Sequence, residues 1–184
     1  MSMVDVFTLC EKVTEEAFRL EVRQRYNVRQ RYNVLYEEPL VRAFEEGRPQ
    51  PENESITQHI ASVNLLRETG KRDYRVHVVE LPLSPYLRYE LDGYRDNVAA
   101  GEEILIADRA WHPDLAELTE DFMLLDGDTY HASVVWYRYN DNDELLARDH
   151  SHDPADIEFC RRHRDLAVAH AVPYAEFIRG VSLT

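Results

Sequence analysis

Residues 122–139, FMLLDGDTYHASVVWYRY, decide the predicted fold class. Phe122–Leu125 and Thr129–Tyr139 are apolar, partly β-branched runs, and residues 126–128 between them, Asp-Gly-Asp, are typical of a tight hairpin turn. A second turn of Asn and Asp residues at 140–143 leads into a further short strand at 144–148. The pattern therefore predicts consecutive antiparallel strands.

Helical spacing is found on both sides of this region. Leu9, Val13, Ala17 and Leu20 recur at helical intervals and predict an amphipathic helix over residues 3–22. Cap residues and spacing predict further helices over 39–47, 56–70, 85–91 and 154–171 and a short one from 173, and period-two patterns predict strands over 74–79 and 103–107.

The resulting order is helices, then strands, then helices. It lacks the strand–helix alternation of a doubly wound parallel fold. We therefore predict one α+β domain over residues 1–184, with a largely antiparallel sheet and N- and C-terminal helices packed on it.

A perfect duplication interrupts this order. The hexad VRQRYN at 22–27 is repeated at once at 28–33, and Val34 follows. A pair of hexads is too short for a repeat architecture. The favoured interpretation is an insertion accommodated in a loop or an extended helix end. The alternative is an arginine-bearing arm that contains Arg19, Arg23, Arg25, Arg29 and Arg31.

Composition excludes several function classes. The 184 residues carry a formal charge of −14, from 21 Lys and Arg against 35 Asp and Glu, which argues against direct nucleic-acid binding. No apolar run is long enough to span a membrane, and the N-terminal residues lack a secretory signal pattern. Cys10 and Cys160 cannot form a disulfide framework and are predicted to be buried thiols of a cytoplasmic protein.

Known catalytic and metal motifs are absent, so no cofactor is predicted. The densest polar cluster is Asp149-His150-Ser151-His152-Asp153. Asp149, His150 and His152 are a weak alternative metal site, but a solvated turn before a helix capped by Asp153 is favoured. Cys160 and His163 could form a nucleophile pair on one helix, and a buried structural thiol is again the favoured interpretation.

The segment between residues 75 and 102 is the best candidate for a binding site. Five aromatic and charged residues are close together at one short helix that follows a strand: Tyr86, Arg88, Tyr89, Glu90 and Tyr94. Arg offers a planar fork for a carboxylate or phosphate, and Tyr offers a stacking surface with a polar end. The interpretation favoured over a binding site is nevertheless structural, with Tyr86 and Tyr89 as core aromatics and an internal Arg88–Glu90 ion pair.

Several strings together resemble an uncharacterised actinobacterial family of unknown function. They are RVHVV at 75–79, PLSPYLRYEL at 82–91, NVAAGE at 97–102, DF at 121–122, DPA at 153–155 and AVP at 171–173. The duplicated hexad and Met123 depart from the family pattern. Members are often encoded beside helix-turn-helix regulators, so the resemblance implies a regulatory partner. No catalytic residues are implied.

The candidate ligand-binding residues combine the motif positions with the tyrosine cluster. They are Arg75, Tyr86, Arg88, Tyr89, Glu90, Asn97, Glu102, Asp121 and Arg164.

Two functions follow from these observations. The first is a cytosolic regulatory or interaction protein whose acidic surface pairs with a helix-turn-helix regulator or another basic protein. The second is a small-molecule-binding protein or enzyme of specialised metabolism, which uses these candidates around a small anionic or aromatic ligand. Glu102 or Asp121 would be the general base if burial raises its pKa. Whether any reaction is catalysed is left open.

Overall fold

A mixed sheet organises the part of the chain that the computed structural model describes, residues 3–26, 37–49 and 54–183. There the sheet has seven strands: β1 (Glu16–Glu21), β2 (Arg72–Val79), β3 (Glu103–Asp108), β4 (Phe122–Leu125), β5 (Ser133–Tyr139), β6 (Leu145–Ser151) and β7 (Val172–Pro173). The helices are α1 (Val6–Cys10), α2 (Glu37–Glu45), α3 (Glu54–Glu68), α4 (Pro85–Ala100), α5 (Pro154–Ala169) and α6 (Tyr174–Phe177). Two 3₁₀ turns, Arg109–Trp111 and Pro113–Glu117, follow β3.

The strand order is β6-β5-β4-β1-β2-β3-β7. β1 pairs in parallel with β2, and β2 in parallel with β3, while every other neighbouring pair is antiparallel. The predicted α+β class with a largely antiparallel sheet is therefore confirmed. The predicted β4–β5 hairpin and the turn into β6 are present as well. The predicted start of the second strand at residue 129 is wrong, because β5 begins at Ser133 and residues 126–132 form the connection.

One face of the sheet is apolar and packs against α5. Phe18 and Leu20 of β1 and Val76 of β2 lie in one buried cluster with Cys160 and Ala167 of α5. Because side chains alternate along a strand, the intervening residues of β1 and β2 point to the opposite face. That second face is covered by α1, α3 and α4, and α2 packs against α4.

The predicted caps at the starts of α4 and α5 are confirmed. Ser84 Oγ accepts a hydrogen bond from the amide of Leu87 at 3.1 Å, with Pro85 in the first turn of α4. Asp153 caps α5 in the same way through the amide of Ala155 at 2.8 Å. The predicted helix over 85–91 is too short, because α4 continues to Ala100 and ends at Gly101 with φ of 116°, a conformation that strongly favours glycine.

The predicted helix over residues 3–22 is wrong. Only Val6–Cys10 is helical, and Glu16–Glu21 forms the central strand β1. The sequence Ala17-Phe18-Arg19-Leu20-Glu21 also alternates with period two, and pairing on both sides with β2 and β4 decides between the two periods. The carboxylate of Asp126 accepts hydrogen bonds from the amides of residues 14–16 and so holds the start of the strand.

The predicted lack of strand–helix alternation is also wrong for residues 16–108. There the order is β1, α2, α3, β2, α4, β3, because parallel neighbours need crossover connections. This error follows from the missed strand β1.

The duplicated hexad lies mostly outside the described residues. Within it, residues 22–26 follow β1 in neither helix nor strand. The predicted arginine arm is wrong for two members. Arg19 lies on β1, and Arg23 Nη2 is 2.6 Å from Asp143 Oδ1 with its guanidinium over the Tyr139 ring. Arg29 and Arg31 are outside the described residues.

Both cysteines are buried and free, as predicted. Among the helices of the described residues, none has the length and apolar character needed to cross a bilayer.

The central position of β1 has a direct consequence for stability. Leu20 is fully buried, whereas Leu146 on the edge strand β6 is 41% exposed. We expect Leu20→Ala to lower the free energy of unfolding by about 2–5 kcal/mol, and Leu146→Ala by about 0.5 kcal/mol. Urea unfolding followed by circular dichroism measures both, and equal losses would contradict the placement of β1.

Candidate functional site

A cavity of about 490 Å³ lies on the second face of the sheet. Strands β1, β2, β4, β5 and β6 contribute its floor, and the helices α1–α4 contribute its walls. The charged or polar floor residues are Arg19, Glu21, Asp73, Arg75, Asp121, Tyr137, Tyr139 and Arg148.

Strand register places these floor residues in two adjacent rows. In the first row, Arg148 is paired with Tyr137, and the amide of Tyr137 donates to the carbonyl of Asp121. The same row continues with Glu21, which is paired with His77. The neighbouring row runs from Met123 through Arg19 to Arg75. Ionisable side chains that are far apart in the sequence therefore stand side by side under the cavity.

Arg75 is the centre of a buried charge network. Only 3% of its side chain is exposed, and its Nη1 donates to Glu21 Oε2 at 3.0 Å. Its Nε donates to Glu102, and its Nη2 is 2.7 Å from His59 Nε2. The guanidinium therefore joins β2 to β1, to α3 and to the start of β3.

The two carboxylates beside Arg75 stay ionised. Burial alone would raise the pKa of Glu21, but the charges of Arg75 and Arg19 lower it to about 2. Burial opposes ionisation of Glu102 too, and Arg75 and His59 hold the pKa of Glu102 well below its usual range. Asn97 Nδ2 also donates to Glu102 Oε2 at 2.9 Å.

Tyr94 and His77 extend the network. The Tyr94 hydroxyl lies 2.8 Å from Glu21 Oε2 and 2.7 Å from His77 Nδ1, and its one hydrogen can be donated to either of them. Burial lowers the pKa of His77, which favours a neutral ring. Its Nε2 is 3.2 Å from the carbonyl oxygen of Arg23 and can donate to it.

Arg19 and Arg148 differ from Arg75 because their guanidinium N–H groups make no hydrogen bond with the described residues. Their guanidinium carbons lie 5.7 Å and 5.9 Å from the centre of the Tyr137 ring. Among the described residues neither guanidinium donates a hydrogen bond, and Arg148 Nε is buried without a partner. The one ion pair of Arg19 is long, 3.6 Å to Glu21 Oε1.

Asp121 and Tyr26 present a second group of unused polar atoms. Asp121 is 4% exposed, and its Oδ1 accepts from the amide of Val22 at 2.8 Å. Asp121 Oδ2 and the Tyr26 hydroxyl are both buried, and among the described residues neither has a hydrogen-bond partner of normal geometry. Burial, and then the charge of Glu21, raise the pKa of Asp121 to about 7.

Two more carboxyl groups of the cavity have a raised pKa, those of Glu90 and Asp73. Burial raises the pKa of Glu90 to about 7, and the charge of Glu21 adds to it. Glu90 accepts a hydrogen bond from the Tyr86 hydroxyl at 3.1 Å. Burial and the charge of Glu102 raise the pKa of Asp73 to about 7. The cavity therefore holds three carboxyl groups that change charge near neutral pH.

Most of the sequence candidates are brought together here. Six of them line the cavity: Arg75, Tyr86, Tyr89, Glu90, Asn97 and Asp121. Glu102 lies directly behind Arg75. Two candidates lie elsewhere. Arg88 Nη2 is 3.7 Å from Glu45 of α2, and Arg164 of α5 binds Glu16 and Asp128 away from the cavity.

Two finer expectations are corrected. The internal ion pair between Arg88 and Glu90 is wrong, because Arg88 lies beside Glu45 and Glu90 bonds to Tyr86. Glu102 does not meet the condition set for a general base, since its pKa is lowered, whereas Asp121 meets it.

No metal centre is evident in the described part of the chain, where no group of three or more His, Cys, Asp or Glu side chains could hold an ion. Asp149 instead lies 3.6 Å from Arg138. Cys160 is fully buried, and burial raises the pKa of its thiol far above the usual value, which fits a structural thiol.

Sequence reasoning missed several residues of the site. They are Arg19, Glu21, Tyr26, His59, Asp73 and Arg148. For Arg19 and Glu21 the signal was present, because charged residues alternate with Phe18 and Leu20 as they do in a strand with one polar face.

Comparison with models of known protein families identifies the family of this chain. A family model described as a domain of unknown function, DUF6879, matches residues 5–179. The chain belongs to this family. No curated protein and no solved structure matches the sequence.

The network around Arg75 makes this DUF6879 domain sensitive to loss of one charge. Arg75→Met would leave Glu21 and Glu102 buried without their main counter-ion, and we expect it to lower the free energy of unfolding by about 3–5 kcal/mol. Arg42→Met removes an exposed ion pair with Glu38 and should cost about 0.5 kcal/mol. Chemical denaturation of both variants tests this, and similar losses would refute a central role for Arg75.

The raised pKa of Asp121 predicts a pH effect on the same DUF6879 domain. Folding favours the protonated acid, so this contribution to stability is fully present below the unfolded pKa and is lost as pH rises through about 7. Asp121→Asn keeps an acceptor for the Val22 amide and removes the titration. Between pH 5 and 8 we expect the wild type to lose on the order of 2 kcal/mol relative to Asp121→Asn. Thermal unfolding across this range measures the difference, and parallel pH profiles would contradict it.

Proposed function

We propose that this domain binds a small organic anion in the cavity and that Arg19 and Arg148 receive its anionic group. The observation that carries this proposal is the pair of guanidinium groups beside Tyr137 that donate no hydrogen bond within the described residues.

The contrast with Arg75 supports this assignment. Burying a charge is costly unless ion pairs and hydrogen bonds compensate it. Arg75 has that compensation from Glu21 and Glu102, so its donors are used within the fold. The donors of Arg19 and Arg148 remain available, and the guanidinium fork matches a carboxylate or phosphate in two parallel hydrogen bonds.

The rest of the cavity suits a ligand whose remaining atoms are aromatic or apolar. A volume of about 490 Å³ is within the usual range for small-molecule sites. Phe7, Phe44, Tyr89, Tyr137 and Tyr139 all line it. Aromatic rings pack well against other rings, so an aromatic carboxylate is a suitable probe. No reaction step is assigned to the site.

The regulatory role with a helix-turn-helix partner remains a prediction. The formal charge of −14 supports a basic partner, because opposite charges speed association. Pull-down at low salt with the product of the neighbouring gene would test it, and absence of binding there would count against it.

Ligand-observed NMR with 3-phenylpropionate tests anion binding. We expect saturation transfer to the wild type and to Arg88→Met, since Arg88 does not line the cavity. Arg19→Met removes a charged donor and should weaken binding about tenfold or more, and Arg148→Met should weaken it in the same direction.

Two results would contradict the proposal. One is the absence of transfer to the wild type at millimolar concentration. The other is unchanged binding by Arg19→Met and Arg148→Met, each verified as folded by thermal unfolding. Native mass spectrometry of gently purified protein adds an independent readout, with a co-purifying anion of small mass expected.

A further inference from the structure

We infer that the ligand is a zwitterion: besides the anion held at Arg19, it carries a protonated amine that binds between Asp121 and Tyr26. This inference rests on the proposed function and narrows its ligand to compounds of the aromatic amino acid class.

The unused buried atoms of Asp121 and Tyr26 are the first argument. A buried polar atom without a partner is unfavourable. The Tyr26 hydroxyl faces Asp121 and lowers the pKa of its carboxyl group, yet Asp121 Oδ2 and this hydroxyl do not form a hydrogen bond of normal geometry with each other or with any other described residue. Both residues line the cavity. A ligand group that donates hydrogen bonds to both oxygens would satisfy them together.

The charges around Asp121 favour a cation over a neutral donor. Glu21 is the neighbouring floor residue on β1, and it is ionised. The nearest cation on the adjoining segment, Arg23, is 2.6 Å from Asp143. From β5, the residues Tyr137 and Tyr139 contribute only phenol rings. A cation bound at Asp121 gains mainly from that carboxylate, because the charge of Glu21 is already compensated by Arg75 and Arg19.

Aromatic rings complete a surface for an ammonium group. The ring of Tyr26 lies 5.6 Å from that of Tyr139 and 6.3 Å from that of Tyr86, centre to centre. Glu90 bonds to the Tyr86 hydroxyl at the same wall. Aromatic faces attract cations through their quadrupoles, and clusters of such rings commonly recognise ammonium groups.

The spacing of the two ends suits one small molecule. Arg19 is directly opposite Met123 across the β1–β4 pair, and Asp121 is two residues from Met123. Such diagonal neighbours on paired strands have Cα atoms about 7–8 Å apart. Their side chains, both in the cavity, can therefore contact groups separated by a few bonds.

A matched pair of probes tests the inference. L-Phenylalanine and 3-phenylpropionate share the ring and the carboxylate and differ in the amine. At pH 8, NMR or calorimetric titration of the wild-type protein should give at least tenfold tighter binding of L-phenylalanine. In Asp121→Asn that preference should fall close to one, while binding of 3-phenylpropionate through Arg19 persists. Glu120→Gln removes an adjacent carboxylate that pairs with Arg138 and should keep the wild-type preference.

The pH profile adds a second readout. Binding the amine requires ionised Asp121, so the affinity for L-phenylalanine should rise from pH 5.5 to 8 in the wild type. The rise should be clearly smaller in Asp121→Asn, where only Glu90 and Asp73 of the cavity still change charge in this range. Equal affinity for the two compounds, or a preference that survives in Asp121→Asn, would overturn this inference and leave anion binding intact. Failure of both compounds to bind would overturn the proposed function together with it.

Discussion

The buried guanidinium of Arg75 is the constraint on which the rest of the second face depends. It stands on the strand β2 and contacts Glu21 on β1, His59 on α3 and Glu102 at the start of β3. These contacts fix the relative positions of two strands and one helix. They also keep both carboxylates ionised. Burial, with a smaller addition from the charge of Glu21, raises the pKa of Asp121 and Glu90. Arg75 therefore affects both the positions of the elements around the cavity and the ionisation of the carboxylates beside it.

The two faces of the sheet differ in composition and in what they contact. Toward α5 the strands present Phe18, Leu20 and Val76, whose burial stabilises the fold through the hydrophobic effect. Toward α3 and α4 the alternate residues of the same strands are charged. Apolar residues in place of buried ion pairs are often equally or more stabilising, and the charges beside the cavity are therefore consistent with the ligand-binding role proposed above.

The sequence predicts those parts of the fold whose signals are local. The β4–β5 hairpin follows from its turn residues, and α4 and α5 follow from the caps at Ser84 and Asp153, because each signal acts within a few residues. The strand β1 was missed for the opposite reason. Its apolar residues fit a helical and a strand period equally well, and pairing with β2 and β4, far away in the sequence, selects the strand. The parallel part of the sheet was missed with it.

By itself, the sequence determined the fold class, the positions of most helices and strands, and six residues that line the cavity. It marked the segment 75–102 because aromatic and charged residues are concentrated there. Only the tertiary structure decided that Arg19 and Arg148 meet at Tyr137, that Asp121 lies beside Glu21, and that Arg88 and Arg164 lie elsewhere. The physical reason is strand register: which side chains become neighbours across a sheet depends on pairing between distant segments, and no local pattern specifies that pairing.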